Sequence, residues 1–212
     1  MAHRMLAVAL YHQVYMGFIP WTRQTLDALY THAKVSIESD GADEYSHWAM
    51  ECAHLLRKQH ELAAASLRRA LEINPNCSLA YGSMGTVLAW SGQYDASAES
   101  NELALRDNPQ DPSNFFRHFG LALAHYLASR YDKAVAHARM AVQARPGWWL
   151  AQMIYAASLA QLGRPKEGAL ILAGLRSGGR ELNTSSLTVL PFAHASDRKH
   201  LDAGLRKTGF WD

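Results

Sequence analysis

The stretch Ser78–Asp111, SLAYGSMGTVLAWSGQYDASAESNELALRDNPQD, decides how the whole chain is read. Apolar and small residues recur at helical spacing through Tyr81, Met84, Gly85, Leu88 and Ala89. The pattern breaks at Ser91-Gly92, resumes from Tyr94 to Leu105 and stops at Pro109. A helical period on both sides of a glycine turn, closed by a residue that cannot continue a helix, predicts helix, tight turn, helix, proline. Sliding the sequence by the length of this unit finds copies of it. Upstream, Glu44–Cys77 sets Ala63, Leu67, Ala70 and Pro75 where the central unit has Ser97, Asn101, Ala104 and Pro109. Downstream, Phe115–Trp148 supplies Ala134, Ala138, Ala141 and Pro146, with Tyr131 in the slot of Tyr94. The inserted residues Pro112–Asn114 must bulge at that junction. A degenerate fourth copy begins near Trp149, with Gly163 at the turn and Gly168, Leu172 and Leu175 in the later slots.

Each slot has a physical reason. Glycine supplies the backbone freedom that ends one helix and redirects the chain into the next. Small residues at Ala63, Ser97, Ala134 and Gly168 let the second helix of a unit approach the first. On these recurring slots the segment from about Glu44 to Arg176 resembles the tetratricopeptide repeat. The resemblance implies an all-α, right-handed solenoid of helix-turn-helix repeats. The expected layout is one domain over residues 1–212. It holds an irregular N-terminal helical pair at 1–43, repeats at 44–77, 78–111, 115–148 and 149–182, and a C-terminal cap at 183–212.

The flanks fit such an array, whose end units need covers because an internal face would otherwise meet water. A helix is expected near His3–Met16, a loop at Gly17–Trp21, and a helix near Thr22–Glu38 with Thr22 as N-cap. This pair reads as an irregular zeroth repeat over the exposed end of the first full one. After the loop Ser177–Asn183, a final helix is expected near Ser196–Thr208, with Ser196 as N-cap and Gly209 at its end. The segment LPF at Leu190–Phe192, the polar break His194–Asp197 and LDAGLRKTGF at Leu201–Phe210 carry a second resemblance, as do Gly120–Val142 and Ala144–Arg164. They are similar to the C-terminal repeat regions of bacterial class III adenylate cyclases and winged-helix transcriptional regulators. That likeness implies a regulatory half of such a protein, or a stand-alone relative, because neither a cyclase domain nor a winged helix is present.

Composition narrows the function. With 212 residues and 49% hydrophobic content the chain can bury a continuous core, and alternating valine- and isoleucine-rich runs are missing. Its 21 basic and 19 acidic residues are too balanced for nucleic-acid binding through a clustered basic face. Cys52 and Cys77 lack CxxC spacing, which suits a reduced, cytoplasmic chain. His12 and Gln13 interrupt the N-terminal apolar run, so it reads as an amphipathic helix rather than a signal peptide, and no run is long enough for a membrane span. Catalytic signatures are absent: GSMG at Gly82–Gly85 lies inside a helix and lacks the lysine of a phosphate loop. His47 and His54, and likewise His118 and His125, are a seven-residue step apart, about 10.5 Å along a helix, too far for one metal ion. They read as core substitutes for aromatic residues. No catalytic, cofactor or metal site is expected.

What remains is the inner curve. In tetratricopeptide arrays the first helix of each unit lines it. The matching slots here include Tyr45, Trp48, Leu55, Thr86, Trp90, Phe116, Phe119, Leu123, Tyr126, Leu150 and Met153. Arrays that clamp a C-terminal carboxylate place lysine, arginine and asparagine at such slots, and this chain places none. An apolar groove of this extent needs a cover. Three protein covers are available: the chain's own tail, with Leu190, Phe192, Leu201, Leu205, Phe210 and Trp211; a second copy, giving a homodimer; or a partner's hydrophobic helix. The expected function is a non-catalytic, regulatory protein–protein interaction module of a bacterial signalling protein. The alternative is a sensing domain holding a small apolar ligand. Replacing Trp90 and Phe119 by alanine should then abolish association and leave helicity nearly intact.

Overall fold

The computed structural model describes residues 1–178 and 184–209. A first pair, α1 (Ala2–Met16) and α2 (Arg23–Ser39), precedes four further pairs. These are α3 (Glu44–Leu56) with α4 (His60–Ile73), α5 (Ser78–Trp90) with α6 (Tyr94–Asp107), α7 (Asn114–Leu127) with α8 (Tyr131–Ala144), and α9 (Trp149–Gln161) with α10 (Pro165–Ser177). A 3-10 turn at Thr184–Leu187 and α11 (Ala195–Arg206) follow, and no strand occurs among the described residues. The architecture is the right-handed tetratricopeptide-type solenoid expected from the repeats.

The slots act as their chemistry dictates. Ala63, Ser97 and Ala134 are fully buried where paired helices cross, and the Ser97 hydroxyl donates to the Gly85 carbonyl at 2.6 Å. A side chain at Gly168 would run into the Ala156 carbonyl. Helices α4, α6 and α8 end two residues before Pro75, Pro109 and Pro146. Gly92 and Gly163 take the left-handed turn conformation, with φ of 88° and 76°. In the other two pairs the same turn is made by Lys58 and Ser129, at φ of 61° and 59°. A Cβ in that region costs roughly 1–2 kcal/mol, so packing on either side holds these two turns closed.

The flanks depart from expectation in two ways. Thr22 caps α2 as its sequence predicts, accepting the Thr25 amide at 3.2 Å, and α2 packs on α3. Ser196, however, is inside α11: the N-cap position is His194, without a side-chain cap bond. The expected tail contacts of Phe210 and Trp211, and much of the loop at 177–183, lie outside the described residues.

The second departure is larger. Helix α1 does more than cover the end of the array: its buried stripe Tyr11, Val14 and Tyr15 is turned into the inner face. Tyr15 packs on Phe116, Phe119 and Trp148, with ring centroids 6.4, 6.2 and 5.8 Å away. Its hydroxyl accepts the Trp90 indole N–H at 3.2 Å, and its carbonyl accepts the indoles of Trp148 and Trp149 at 3.3 and 3.2 Å. Gly17 (φ 83°) ends α1 at that contact. The C-terminal segment enters from the opposite end. Phe192 meets Trp90 edge-on at 4.7 Å, and the Ala193 amide donates to the Trp90 carbonyl at 2.9 Å. Tyr94 donates to Asp197 at 2.7 Å and Tyr126 to the His200 carbonyl at 2.8 Å. Gly204 lets α11 approach this closely, since a Cβ there would strike the Tyr126 hydroxyl. Two pieces of the chain's own ends thus lie along the inner curve.

Candidate binding pocket on the inner face

The eleven side chains expected along the groove divide by what covers them. Trp90, Phe119, Leu123, Tyr126, Leu150 and Met153 are enclosed in the core. Trp90 and Phe119 are held from above by α1, Trp90 also by Phe192, and Tyr126 by α11. No partner reaches Trp90, Phe119 or Tyr126 unless those segments leave. Their expected role as a free docking surface is therefore corrected: burying the indole and phenyl rings on the chain's own aromatic side chains already removes that surface from water. Tyr45 stays 40% exposed at the rim, under the Arg4 guanidinium at 5.3 Å. Trp48, Leu55, Thr86 and Phe116 meet in one place.

That place is a cavity of about 250 Å³ bounded by α1, α3, α5 and α7. Besides those four residues it is lined by Tyr11 and His12 from α1, Glu51 from α3, and Leu79, Gly82 and Ser83 from α5. Ser113 and Arg117 complete it. The walls are mainly apolar and aromatic, with a few polar groups converging, which is the composition of a small-molecule site. The insertion Pro112–Asn114 contributes Ser113 to the wall. Asp111 accepts from the Ser113 amide at 2.8 Å and hydroxyl at 2.7 Å, and pairs with the Arg117 guanidinium at 3.0 Å. Arg117 also donates to the Ser113 hydroxyl at 2.9 Å. Partial burial pushes the Asp111 carboxyl up, but the bonds from Ser113 and the charge of Arg117 outweigh it and hold it below its ordinary value. A Cβ at Gly82 would stand 3.3 Å from the guanidinium Nε, so a side chain there would make the arginine give by a few tenths of an ångström.

Glu51 is the electrostatic anomaly. It is 1% exposed, accepts the Cys52 thiol at 3.5 Å and is bonded to Ser83, which in turn accepts the Trp48 indole N–H at 2.8 Å. Burial, opposed only by those two weak donors, pushes its carboxyl up to about 8. Tyr11 and Cys52 are likewise pushed up by burial, and His12 is pushed down by it despite a bond with the Val8 backbone. At neutral pH all four are therefore mostly uncharged. A second, shallower cavity of about 620 Å³ adjoins the first, sharing His12, Ser113 and Phe116 and adding Phe18, Phe115 and Trp148.

Sequence reasoning found Trp48, Leu55, Thr86 and Phe116 but passed over Tyr11, His12, Glu51 and Arg117. Two signals were present: a lone acid inside the apolar run WAMECAHLL, and a lone arginine inside NFFRHFG next to the insertion. The histidines also pair differently from their spacing. His118 meets His137 of α8 at 3.2 Å, and His125, buried, stacks on His137 at 5.7 Å. His47 and His54 are only partly buried, bonded to the Gly41 carbonyl and to Gln59. Among the described residues no group of three His, Cys, Asp or Glu side chains is placed to hold a metal ion. Among them, too, no helix is long and apolar enough to cross a membrane.

The fold is shared with known tetratricopeptide proteins. PilW, a type IV pilus biogenesis factor, superposes with a TM-score of 0.66 over 96% of this chain and 92% of its own, at 16% identity. The tetratricopeptide protein TTC0263 of Thermus thermophilus gives 0.66 over 97% and 98%, also at 16% identity. Pseudomonas aeruginosa pilF gives 0.62 over 95% and 90%, again at 16%. No protein-family model matches the sequence. No curated protein matches it either.

Proposed function

We propose that this protein is a non-catalytic, regulatory interaction module that recognises a protein partner through the part of its inner face left open by α1 and the C-terminal segment. One observation carries this reading: the two adjoining cavities meet at His12, Ser113 and Phe116, and Phe18, 81% exposed, stands beside them. The likeness of the C-terminal segment to the repeat regions of cyclases and transcriptional regulators supports a role in bacterial signalling. Among the described residues no group of three or more His, Cys, Asp or Glu side chains is placed to hold a metal ion in competition with a binding role. Photo-crosslinking tests it. A benzophenone side chain replacing Phe18 should give a discrete protein adduct that one replacing Met140, on α8, does not, and Phe116→Ala should remove it. Equal labelling from both positions would refute the proposal.

A second reading, a small-molecule sensor, is favoured by the mainly apolar lining of the first cavity and the polar groups converging in it. Native mass spectrometry separates the two: a co-purifying small molecule supports the sensor, and a clean dimer supports self-association through this face.

A further inference from the structure

The acids around the first cavity are not equally partnered. Arg117 is taken up by Asp111 at 3.0 Å, so one buried acid, Glu51, is left without a basic partner. Burying a carboxyl with only a thiol and a hydroxyl for company is unfavourable unless something in the cavity compensates it. The same cavity is lined by the rings of Tyr11, Trp48 and Phe116, with His12 6.3 and 5.9 Å from the last two. Rings of this kind attract a cation through their electron-rich faces, most strongly where water is excluded.

We propose that the cavity binds a compact alkylammonium group, its charge set against the Glu51 carboxylate and its methyl surface against Tyr11, Trp48 and Phe116. At about 250 Å³ the cavity is just below the usual range of roughly 300–1,000 Å³ for ligand pockets, which suits a head group rather than a large molecule. This deepens the small-ligand reading and rests on it. The shared chemistry has two sources, a free organic cation or a lysine side chain carried by a partner, and the probes below tell them apart.

Binding is coupled to a proton. With its carboxyl near 8, Glu51 is mostly neutral at pH 7, and a cation drives it to ionise, releasing close to one proton. The other groups facing it are shifted away from the neutral range in the free protein. Tyr11, Tyr15 and Cys52 are pushed up by burial, His12 is pushed down by it, and Asp111 stays ionised on Arg117. Affinity for a permanent cation therefore rises roughly 50-fold from pH 6 to pH 8, following the ionised fraction of Glu51.

Calorimetric titration with choline, its neutral isostere 3,3-dimethylbutan-1-ol, and a short peptide bearing one lysine tests this, with proton release read from two buffers of different ionisation enthalpy. The expected result is binding of choline, or of the peptide where the source is a partner, with the pH dependence and proton release above, and at least tenfold weaker binding of the isostere. Glu51→Gln should abolish the pH dependence. Phe116→Leu, at a half-buried position that need not disturb the core, should weaken the cation about tenfold and leave the isostere unchanged. Equal binding of choline and isostere, no binding of either cation, or an unaltered Glu51→Gln variant would each overturn the proposal. A different neutral molecule found by native mass spectrometry alongside any of these failures would leave the ligand reading standing without it.

Discussion

Glu51→Gln should make the protein more resistant to alkaline conditions, and the size of the effect follows from burial. The carboxyl has an ordinary value of 4.5 and lies near 8 in the folded chain, because burial penalises its charge and only Cys52 and Ser83 donate to it. Since the folded value is the higher one, the folded state holds the proton more tightly. Its contribution is fully present below pH 4.5 and is lost as pH rises towards 8. Integrating that difference between pH 5 and pH 9 gives about 4 kcal/mol of lost stability in the parent relative to a glutamine variant that cannot ionise. This is an upper bound, because local opening would let water reach the carboxylate. It is still a large share of the roughly 5–15 kcal/mol that holds a domain of ordinary stability together. Urea denaturation followed by tryptophan fluorescence at pH 5, 7 and 9 measures it. Comparing parent with variant cancels the other acids. The two stability curves should diverge steadily from pH 5 to 8 and run parallel beyond it. Curves parallel throughout would mean that Glu51 is wet in the folded chain, and the electrostatic account of the cavity would fail.

Trp90→Ala with Phe119→Ala should now unfold the protein rather than spare its helicity, since both rings are fully buried and each such truncation costs about 3–5 kcal/mol; circular dichroism decides between the outcomes. Ser129→Gly should stabilise by about 1 kcal/mol by relieving its left-handed turn, raising Tm by roughly 2–4 °C in a scanning calorimeter, and an unchanged or lower Tm would refute the strain. Gly204→Val should lift α11 off Tyr126, costing about 1–3 kcal/mol; hydrogen exchange should show lost protection in α11 with α3–α8 unaffected, and unchanged protection would refute the close approach.

The array was legible because its rules are local and repeated. A small residue at Ala63, Ser97 and Ala134, and a proline two residues past the helices ending at Ile73, Asp107 and Ala144, each constrain one turn of chain, and recurrence in phase removes ambiguity. The turns at Lys58 and Ser129 were harder to read, because nothing in either residue type demands a left-handed backbone; the helices on both sides impose it. The Pro112–Asn114 insertion was visible as a break in period. Its consequence was not, because the Asp111–Ser113–Arg117 cluster is a three-dimensional closure of side chains on either side of the bulge.

The pocket was hidden for a deeper reason. Reading the slots of each repeat treats the inner face as the product of the repeats alone, yet α1 and the C-terminal segment also shape it. Tyr11, His12 and Tyr15 belong to a helix whose periodicity says only that it is amphipathic; that its apolar stripe lies on Trp90, Phe119 and Trp148 is a tertiary fact. Once α1 is laid there, the consequences are forced. It encloses Glu51, strips that carboxyl of water and leaves Trp48 and Phe116 facing a space that no side chain fills. A solenoid groove open along its length would select partners by helix periodicity, as other amphipathic clefts do. Filled at Trp90 and Tyr126 by α1 and the C-terminal segment, this one would, under the proposed function, select by the chemistry of the space left open, so a variant that loosens α1 should widen specificity before it lowers stability. Tyr15→Phe removes only the hydroxyl that holds the Trp90 indole, at a cost of about 1–3 kcal/mol for the orphaned N–H, and is the mildest way to loosen it. Fluorescence of an environment-sensitive apolar dye titrated against parent and variant measures the change. Stronger dye binding at an unaltered pH 7 fold is the expected outcome; identical binding with reduced stability would show that α1 contributes packing and no gate.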